Sequence, residues 1–516
     1  MPFDRTKSKA KNVILMIADG IGFNGWLAAD YYQGKAGLQT YQRVRPDGTT
    51  PVVLGMSHYS LNVLDEQGRL LESASKDPEV ESERQELIAK ALPQGYKPKK
   101  RWKNFAYTIK NDFDPEDKIY TSYTDSAAAG TALMTGRKTA NGRLNYDWSG
   151  SISFQTIAEV ASKLRKSTGT ISSVEQSHAT PAATIAHNIN RRKYGEIFKE
   201  LLNSKLDVIM GAGNPEYDNN GNAVNVDERS YKYVGDAKTW DEVKSGKTKY
   251  SFVDSLDDFE SLAAGDLSFE RVIGFPRVYQ TLQARRDRDV LGEGKTPSGT
   301  AKNSNVPDLG TMSVGALNVL NQNEKGFFAM VEGGAVDWMG HANNMGRYIE
   351  EQIDFNHAVD DVIQWVEGNS NWDETLLIVT SDHETGGIWG KKAFTNGSVI
   401  QGSGVGAKDD EIIAAGEKGI SVDQLISDRF NPYEDEFNRF RAVKDRGKGK
   451  IPRHQFASGN HTNELVPLWA IGSGSDLFNE FTRTDYKAGE LWGDNYGWDG
   501  QFVDNTNVFD VMNQVI

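Results

Sequence analysis

Asp125 and Ser126 stand just before Ala127-Ala-Ala-Gly-Thr-Ala-Leu133, a run of small residues with high helix propensity. The Ser126 hydroxyl therefore falls at or near a helix N-terminus, where free backbone N–H groups and the helix dipole favour an anion. The commonest job of a serine there is to cap the helix. Other residues argue for more. In Glu332-Gly-Gly-Ala-Val-Asp337-Trp-Met-Gly-His341, Asp337 and His341 are four apart, so a helix would place both on one face, able to hold one cation. Asp382 and His383 are adjacent in Thr380-Ser-Asp-His-Glu-Thr-Gly-Gly387, and both can reach one site where the chain turns. Asp19 follows an apolar run, and His461 stands alone in Ser458-Gly-Asn-His-Thr-Asn-Glu464. Singly these read as a surface ion pair, a turn or a cap. Together they are the hard oxygen and imidazole donors that zinc and magnesium accept. Two such cations side by side serve phosphoryl transfer.

The elements that would position these groups are visible as short apolar runs at 13–17, 169–174, 208–210, 327–331, 376–379 and 466–471, each ending in polar or glycine residues. Such runs suit strands buried on both faces. Helical patterns at 152–164 and 347–366 lie between them. The alternation predicts an α/β fold with a central, mainly parallel sheet and helices on both faces. Ligands in such sheets collect beyond the carboxyl ends of the strands, where the polar residues above fall. Three stretches, 45–118, 214–307 and 391–458, break the rhythm. They are read as insertions on a single catalytic domain spanning 1–516, serving as surface cover, access control or subunit contact. Gly211-Ala-Gly213 lacks the third glycine of a dinucleotide fingerprint, and Asp218-Asn-Asn-Gly221 lacks the ligand spacing of a calcium loop and reads as a turn.

The net charge of −14 argues against nucleic acid as a partner, because phosphate contacts need an excess of Lys and Arg. The basic run 97–103 reads as a solvated loop. With no cysteine, disulfides and thiolate metal sites are excluded, so any metal falls to Asp, Glu, His or Ser. The apolar run near the start is too short to span a bilayer, and no leader is visible, as in a cytoplasmic protein or a mature chain written without one.

Thr124-Asp-Ser-Ala-Ala-Ala-Gly-Thr-Ala132, His178-Ala-Thr-Pro-Ala-Ala183, the Glu332–His341 segment and Ser381-Asp-His-Glu-Thr-Gly-Gly387 occur in an order that resembles the alkaline phosphatase family. The resemblance implies two zinc ions and one magnesium. Asp337, His341 and His461 match the ligands of the first zinc. Asp19, Asp382 and His383 match those of the second, which also binds the Ser126 oxygen. Asp19 would bridge to the magnesium, whose other ligands match Thr180 and Glu332, with His178 beside this third ion. Ser126 matches the nucleophile that becomes phosphorylated, and Arg191, not Arg192, the phosphate clamp. Asp125, Trp338 and His178 would also face the substrate. His178 resembles animal and marine bacterial members, and Trp338 the marine bacterial, Vibrio-type members. His187 matches no ligand and is read as structural, within a helix. The implied reaction is hydrolysis of small phosphate monoesters through a phosphoserine. The implied setting is a homodimer, periplasmic or secreted, its leader removed, with no membrane or nucleic-acid partner. The alternatives are a phosphodiesterase of the same superfamily and a non-catalytic zinc- or phosphate-binding protein.

Overall fold

Seven of the ten neighbouring strand pairs in the central sheet are parallel, as the run of buried apolar segments requires. The computed structural model describes residues 9–45, 48–63, 119–287, 296–390, 442–456 and 459–516. Among these, eleven strands form the sheet: β1 (Asn12–Ala18), β2 (Val52–Ser57), β3 (Ser167–Glu175), β4 (Val208–Ala212), β5 (Ser251–Val253) and β6 (Val272–Gly274), then β7 (Phe327–Gly333), β8 (Thr375–Thr380), β9 (Val466–Gly472), β10 (Arg483–Thr484) and β11 (Gln501–Asp504). Their spatial order is β10-β11-β2-β9-β8-β1-β7-β3-β4-β6-β5. Only β9 and β10 run against the rest.

The helices that matter for the site or the core are, in chain order, α1 (Phe23–Gln33), α2 (Ser126–Thr135), α3 (Ile157–Lys163), α4 (Ala179–Ala183), α5 (Leu309–Leu320), α6 (Ala335–His341), α7 (Met345–Asn369) and α8 (Thr506–Val515). Successive side chains of a strand point to opposite faces. In β1, Ile14 and Met16 therefore join a core with Trp26 of α1, Leu317 of α5 and Val359 of α7. Val13, Leu15 and Ile17 join a second core with Leu133 of α2, Ile157 of α3 and Met512 of α8. Helices thus cover both faces.

Three expectations change. The helix expected over 152–164 begins only after Thr156, whose hydroxyl accepts from the Glu159 amide at 3.2 Å while the Glu159 carboxylate accepts from the Thr156 amide at 2.9 Å. That reciprocal cap stops the helix from extending toward residue 152. The run 466–471 is a strand, but an antiparallel one. The stretches at 45–118 and 214–307 do not lie wholly outside the sheet. The first supplies β2, inserted between β9 and β11, and the second supplies β5 and β6 at one edge. Strands of three residues leave too short a pattern to show in sequence. The basic run 97–103 and most of 391–458 lie outside the described residues. No described helix is long and apolar enough to cross a membrane.

Candidate active site

Parallel strands deliver their carboxyl ends to one edge of the sheet. β1 is followed there by Asp19, β3 by His178 and Thr180, β7 by Glu332 within it and Asp337 beyond it, and β8 by Asp382 and His383. Because β9 is reversed, its amino end lies at this edge, with Leu468 opposite Thr380 and Gly472 opposite Leu376. His461, which precedes β9, therefore reaches the site, and the Gly472–Gly474 turn goes to the far edge.

Asp337 and His341 share a face of α6, with Oδ2 3.4 Å from the His341 Nε2. Asp337 Oδ1 lies 3.4 Å from the His461 Nε2, and the two Nε2 atoms face each other at 3.1 Å. Each ring donates its Nδ1–H to a backbone carbonyl, His341 to Gly459 at 2.6 Å and His461 to Thr124 at 2.7 Å. That leaves the Nε2 lone pairs turned into the site, the arrangement a metal-binding histidine uses. Burial raises the Asp337 carboxyl, but the His341 and His461 imidazoles outweigh it and hold it well below the usual range.

His383 is fully buried between two carboxylates, its Nε2 3.3 Å from Asp382 Oδ2 and 3.6 Å from Asp19 Oδ1. The same nitrogen lies 3.2 Å from the Ser126 hydroxyl. On the other side of Asp19, the Thr180 hydroxyl donates to Oδ2 at 3.3 Å. Glu332 accepts from the Ser172 hydroxyl through one oxygen. Among the described residues, three sets of donor atoms lie close enough to share an ion, Asp337-His383-His461, Asp19-Asp382-His383 and Asp19-His178-Glu332, with each set's atoms within 4.8 Å of one another.

Whether cations fit can be read from what these groups lack. Asp19 Oδ1, Asp382 Oδ2, Glu332 Oε1 and His178 Nδ1 are buried without a hydrogen-bond partner. Burial and the Asp382 charge push Asp19 well above the ordinary carboxyl range. Burial, with the Asp382 charge, carries Glu332 to about 8, and burial, with the Asp337 charge, carries Asp382 to about 6. Buried carboxylates with open lone pairs are costly unless positive charge completes them. Oxygen and imidazole donors without thiolate suit zinc and magnesium, so the residues fit these ions.

The anion side is different in kind. Asp125, not Ser126, caps α2: its Oδ1 accepts from the Ala128 amide at 2.9 Å. Ser126 becomes the first helical residue and its hydroxyl is free for other work. Asp125 Oδ2 accepts from the Gly142 amide at 2.9 Å and from Arg191 Nη1 at 3.0 Å. Arg191 Nη2 lies 3.5 Å from His178 Nε2, and the His178 and Trp338 rings stand 5.6 Å apart, edge to face. Burial and the Arg191 charge drive His178 down to about 3, so it stays neutral. Arg192 is exposed and its amide bonds Asn190. His187 is not in a helix, because α4 ends at Ala183; it bonds the Phe154 carbonyl at 2.9 Å, outside the site.

Supporting residues went unseen in the sequence. Thr385 donates to Asp337 Oδ1 at 2.6 Å and lies 3.3 Å from His383 Nδ1, and Asn141 accepts from the Asp125 amide at 2.9 Å. Buried His58 packs 6.4 Å from the His383 ring. Thr385, two residues past His383, had a positional signal; Asn141 and His58 had none.

The family model for alkaline phosphatase matches residues 89–487. The chain belongs to the alkaline phosphatase family. It is 31% identical over 395 residues to alkaline phosphatase 4 of Bacillus subtilis (strain 168), covering 70% of this chain and 74% of that protein. In structure it is similar to the alkaline phosphatase of the Antarctic bacterium TAB5, at 20% identity and a TM-score of 0.55, covering 99% of this chain and 98% of the other. A variant of the TAB5 enzyme that has Mg bound in its M3 site matches at 21% identity and a TM-score of 0.55, covering 99% of each chain. The large, mainly parallel sheet with helices on both faces is the fold of these alkaline phosphatases. At family level the activity is phosphate monoester hydrolysis.

Proposed function

We propose that this alkaline phosphatase turns over small phosphate monoesters through a phosphoserine on Ser126. The observation that carries the reading is the placement of Ser126. Its hydroxyl sits at the N-terminus of α2, 3.2 Å from His383, between the open carboxylates and an arginine held by Asp125. Arg191 presents a planar fork to two phosphate oxygens. The first amides of α2 add fixed dipoles, so positioning and electrostatics do most of the work. Ser126 Oγ attacks phosphorus in line, the bond to the alcohol oxygen breaks, and that oxygen leaves carrying the proton the serine gave up. Water then splits the phosphoserine, restoring the hydroxyl and releasing inorganic phosphate.

Two zinc ions, held by Asp337, His341 and His461 and by Asp19, Asp382 and His383, with one magnesium held by Asp19, Thr180, Glu332 and the neighbouring His178, would supply charge neutralisation and lower the serine hydroxyl pKa. A TAB5 variant with glutamate in place of a histidine has Mg bound in its M3 site, which supports an ion at a third site of this kind. Thr180, Glu332 and Arg191 together favour monoesters over diesters. A homodimer exported to the periplasm or medium belongs to the same reading, on family likeness. A marine bacterial, Vibrio-type affinity rests on His178 and Trp338.

The test is hydrolysis of p-nitrophenyl phosphate and bis(p-nitrophenyl) phosphate at alkaline pH, before and after chelation, with the Ser126→Ala protein alongside. The expected result is fast monoester cleavage that chelator abolishes and zinc plus magnesium restore, and a loss on Ser126→Ala of about 1,000-fold or more at unchanged metal content. Preference for the diester would move the chain to the phosphodiesterase branch. Bound zinc with no turnover of either ester would leave a binding protein.

A further inference from the structure

The segment 214–307 brings two cations to the mouth of the phosphate clamp. Lys232 lies in the turn Glu228–Tyr233, which is pinned beside His178 by the Ser177 hydroxyl donating to the Tyr233 carbonyl at 2.9 Å. Its ammonium stands 4.9 Å from the Tyr194 ring and 4.7 Å from the Tyr233 ring, and donates to the Tyr233 hydroxyl at 3.1 Å. Tyr194 follows Arg191 by one turn of chain and senses its charge, and the Lys232 charge reaches His178. Arg285 approaches on the Trp338 side, its guanidinium 5.0 Å from that ring. Its segment is anchored at the end of β3 by the Leu282 amide, which donates to the Ser173 carbonyl at 3.0 Å, and is turned back on itself by the Arg285 amide donating to the Thr281 hydroxyl at 2.9 Å. Gln280 ties the two arms together by donating to the Tyr233 hydroxyl at 3.0 Å.

Both cations are exposed, and neither has a carboxylate within ion-pair distance among the described residues. In the surrounding surface Lys193, Lys199, Lys244, Arg271 and Arg277 each pair with one. In a chain of net charge −14, two exposed cations held on aromatic faces, with no carboxylate at ion-pair distance among the described residues, are an anion site in waiting; the acid that feels the Lys232 charge, Glu175, is itself buried.

We propose that Lys232 and Arg285 form a second anionic subsite, which selects phosphate monoesters whose alcohol carries another negative group, a carboxylate or a second phosphorus acid. The idea rests on the phosphomonoesterase reading and deepens it. Arg191 takes the reacting phosphate, and the leaving alcohol extends between Trp338 and Tyr194 toward the two cations.

Three esters of similar leaving group separate the possibilities: 4-carbamoylphenyl phosphate as the neutral control, 4-carboxyphenyl phosphate and 4-phosphonophenyl phosphate. KM is measured for the metal-loaded native protein, Lys232→Gln, Arg285→Gln and the double variant, at low and high salt. The anionic esters should bind with lower KM than the control. Each single variant should shrink that ratio by about two- to five-fold, and the double variant should bring it close to one. Salt should erode the native preference. Turnover of the neutral ester should hold steady in all variants, which also shows that they fold. The carboxylate and phosphonate arms show which charge the subsite favours. Equal KM for neutral and anionic esters in the native protein, or a preference that survives the double variant, would overturn the subsite while leaving the phosphatase reading intact. Absence of turnover of the neutral ester by the native protein would overturn that reading, and the subsite with it.

Discussion

Asp125 has both carboxylate oxygens engaged, by the Ala128 and Gly142 amides and by Arg191, whereas Asp19, Glu332 and Asp382 each keep a buried oxygen with no donor. The two sides meet at Ser126, which follows Asp125 in the chain and lies 3.2 Å from His383. The clamp is complete from the chain's own atoms, so its geometry is set before substrate arrives. The basin of carboxylates and imidazoles is complete only with cations, so its stability and its charge depend on what is bound. On the proposed reading, a fixed anion receptor and a conditional cation receptor therefore meet at Ser126.

The sharpest way to break this comparison is Asp19→Ala, because Asp19 belongs to two of the three donor sets. We expect kcat/KM to fall by about 1,000-fold, with metal content measured by elemental analysis falling in parallel. Full metal content in that variant would show that the basin does not rely on its shared carboxylate. Arg191→Ala probes the other side. It should cost about 100-fold in kcat/KM and weaken inhibition by inorganic phosphate, with metal content unchanged; lost metal there would mean that clamp and basin are one unit.

The smallest expected effect is on the stability of the metal-free protein. Folded Glu332 titrates near 8 and Asp382 near 6, both above the ordinary carboxyl range near 4. Between those limits the folded state holds protons that the unfolded chain has released, so stability falls as pH rises from about 4 through about 8. Melting temperature of the chelated protein should drop by a few degrees between pH 5 and 8, and the drop should be smaller in the metal-loaded protein, where buried acids outside the basin such as Glu351 and Glu384 keep their raised values. Equal slopes with and without metal would remove the charge conflict in the basin.

The basin was legible in the sequence because its members sit on motifs of fixed local spacing, such as Asp337 with His341, or at the polar ends of apolar runs, such as Asp19 and Asp382. Ser126 was legible through the small-residue helix behind it. Its neighbour took the capping role instead, because an aspartate offers two acceptors where Ser offers one hydroxyl. What escaped was long-range. The reversal of β9 depends on sheet pairing across the fold, and β5 and β6 are too short to carry a period. Asn141 reaches Asp125 through a loop contact that no periodicity encodes.

The reversed strand also sets a schedule. Asp19 emerges early in synthesis, and His461 only when most of the 516 residues have been made. The cluster of Asp337, His341 and His461 needs both α6 and the segment ahead of β9, so it can close only after residue 461 has been made. Pairings this distant in sequence form late in folding. On the proposed reading, charging of that cluster with metal waits until nearly all of the chain has been made, and a shorter nascent polypeptide carries Ser126 beside an incomplete basin.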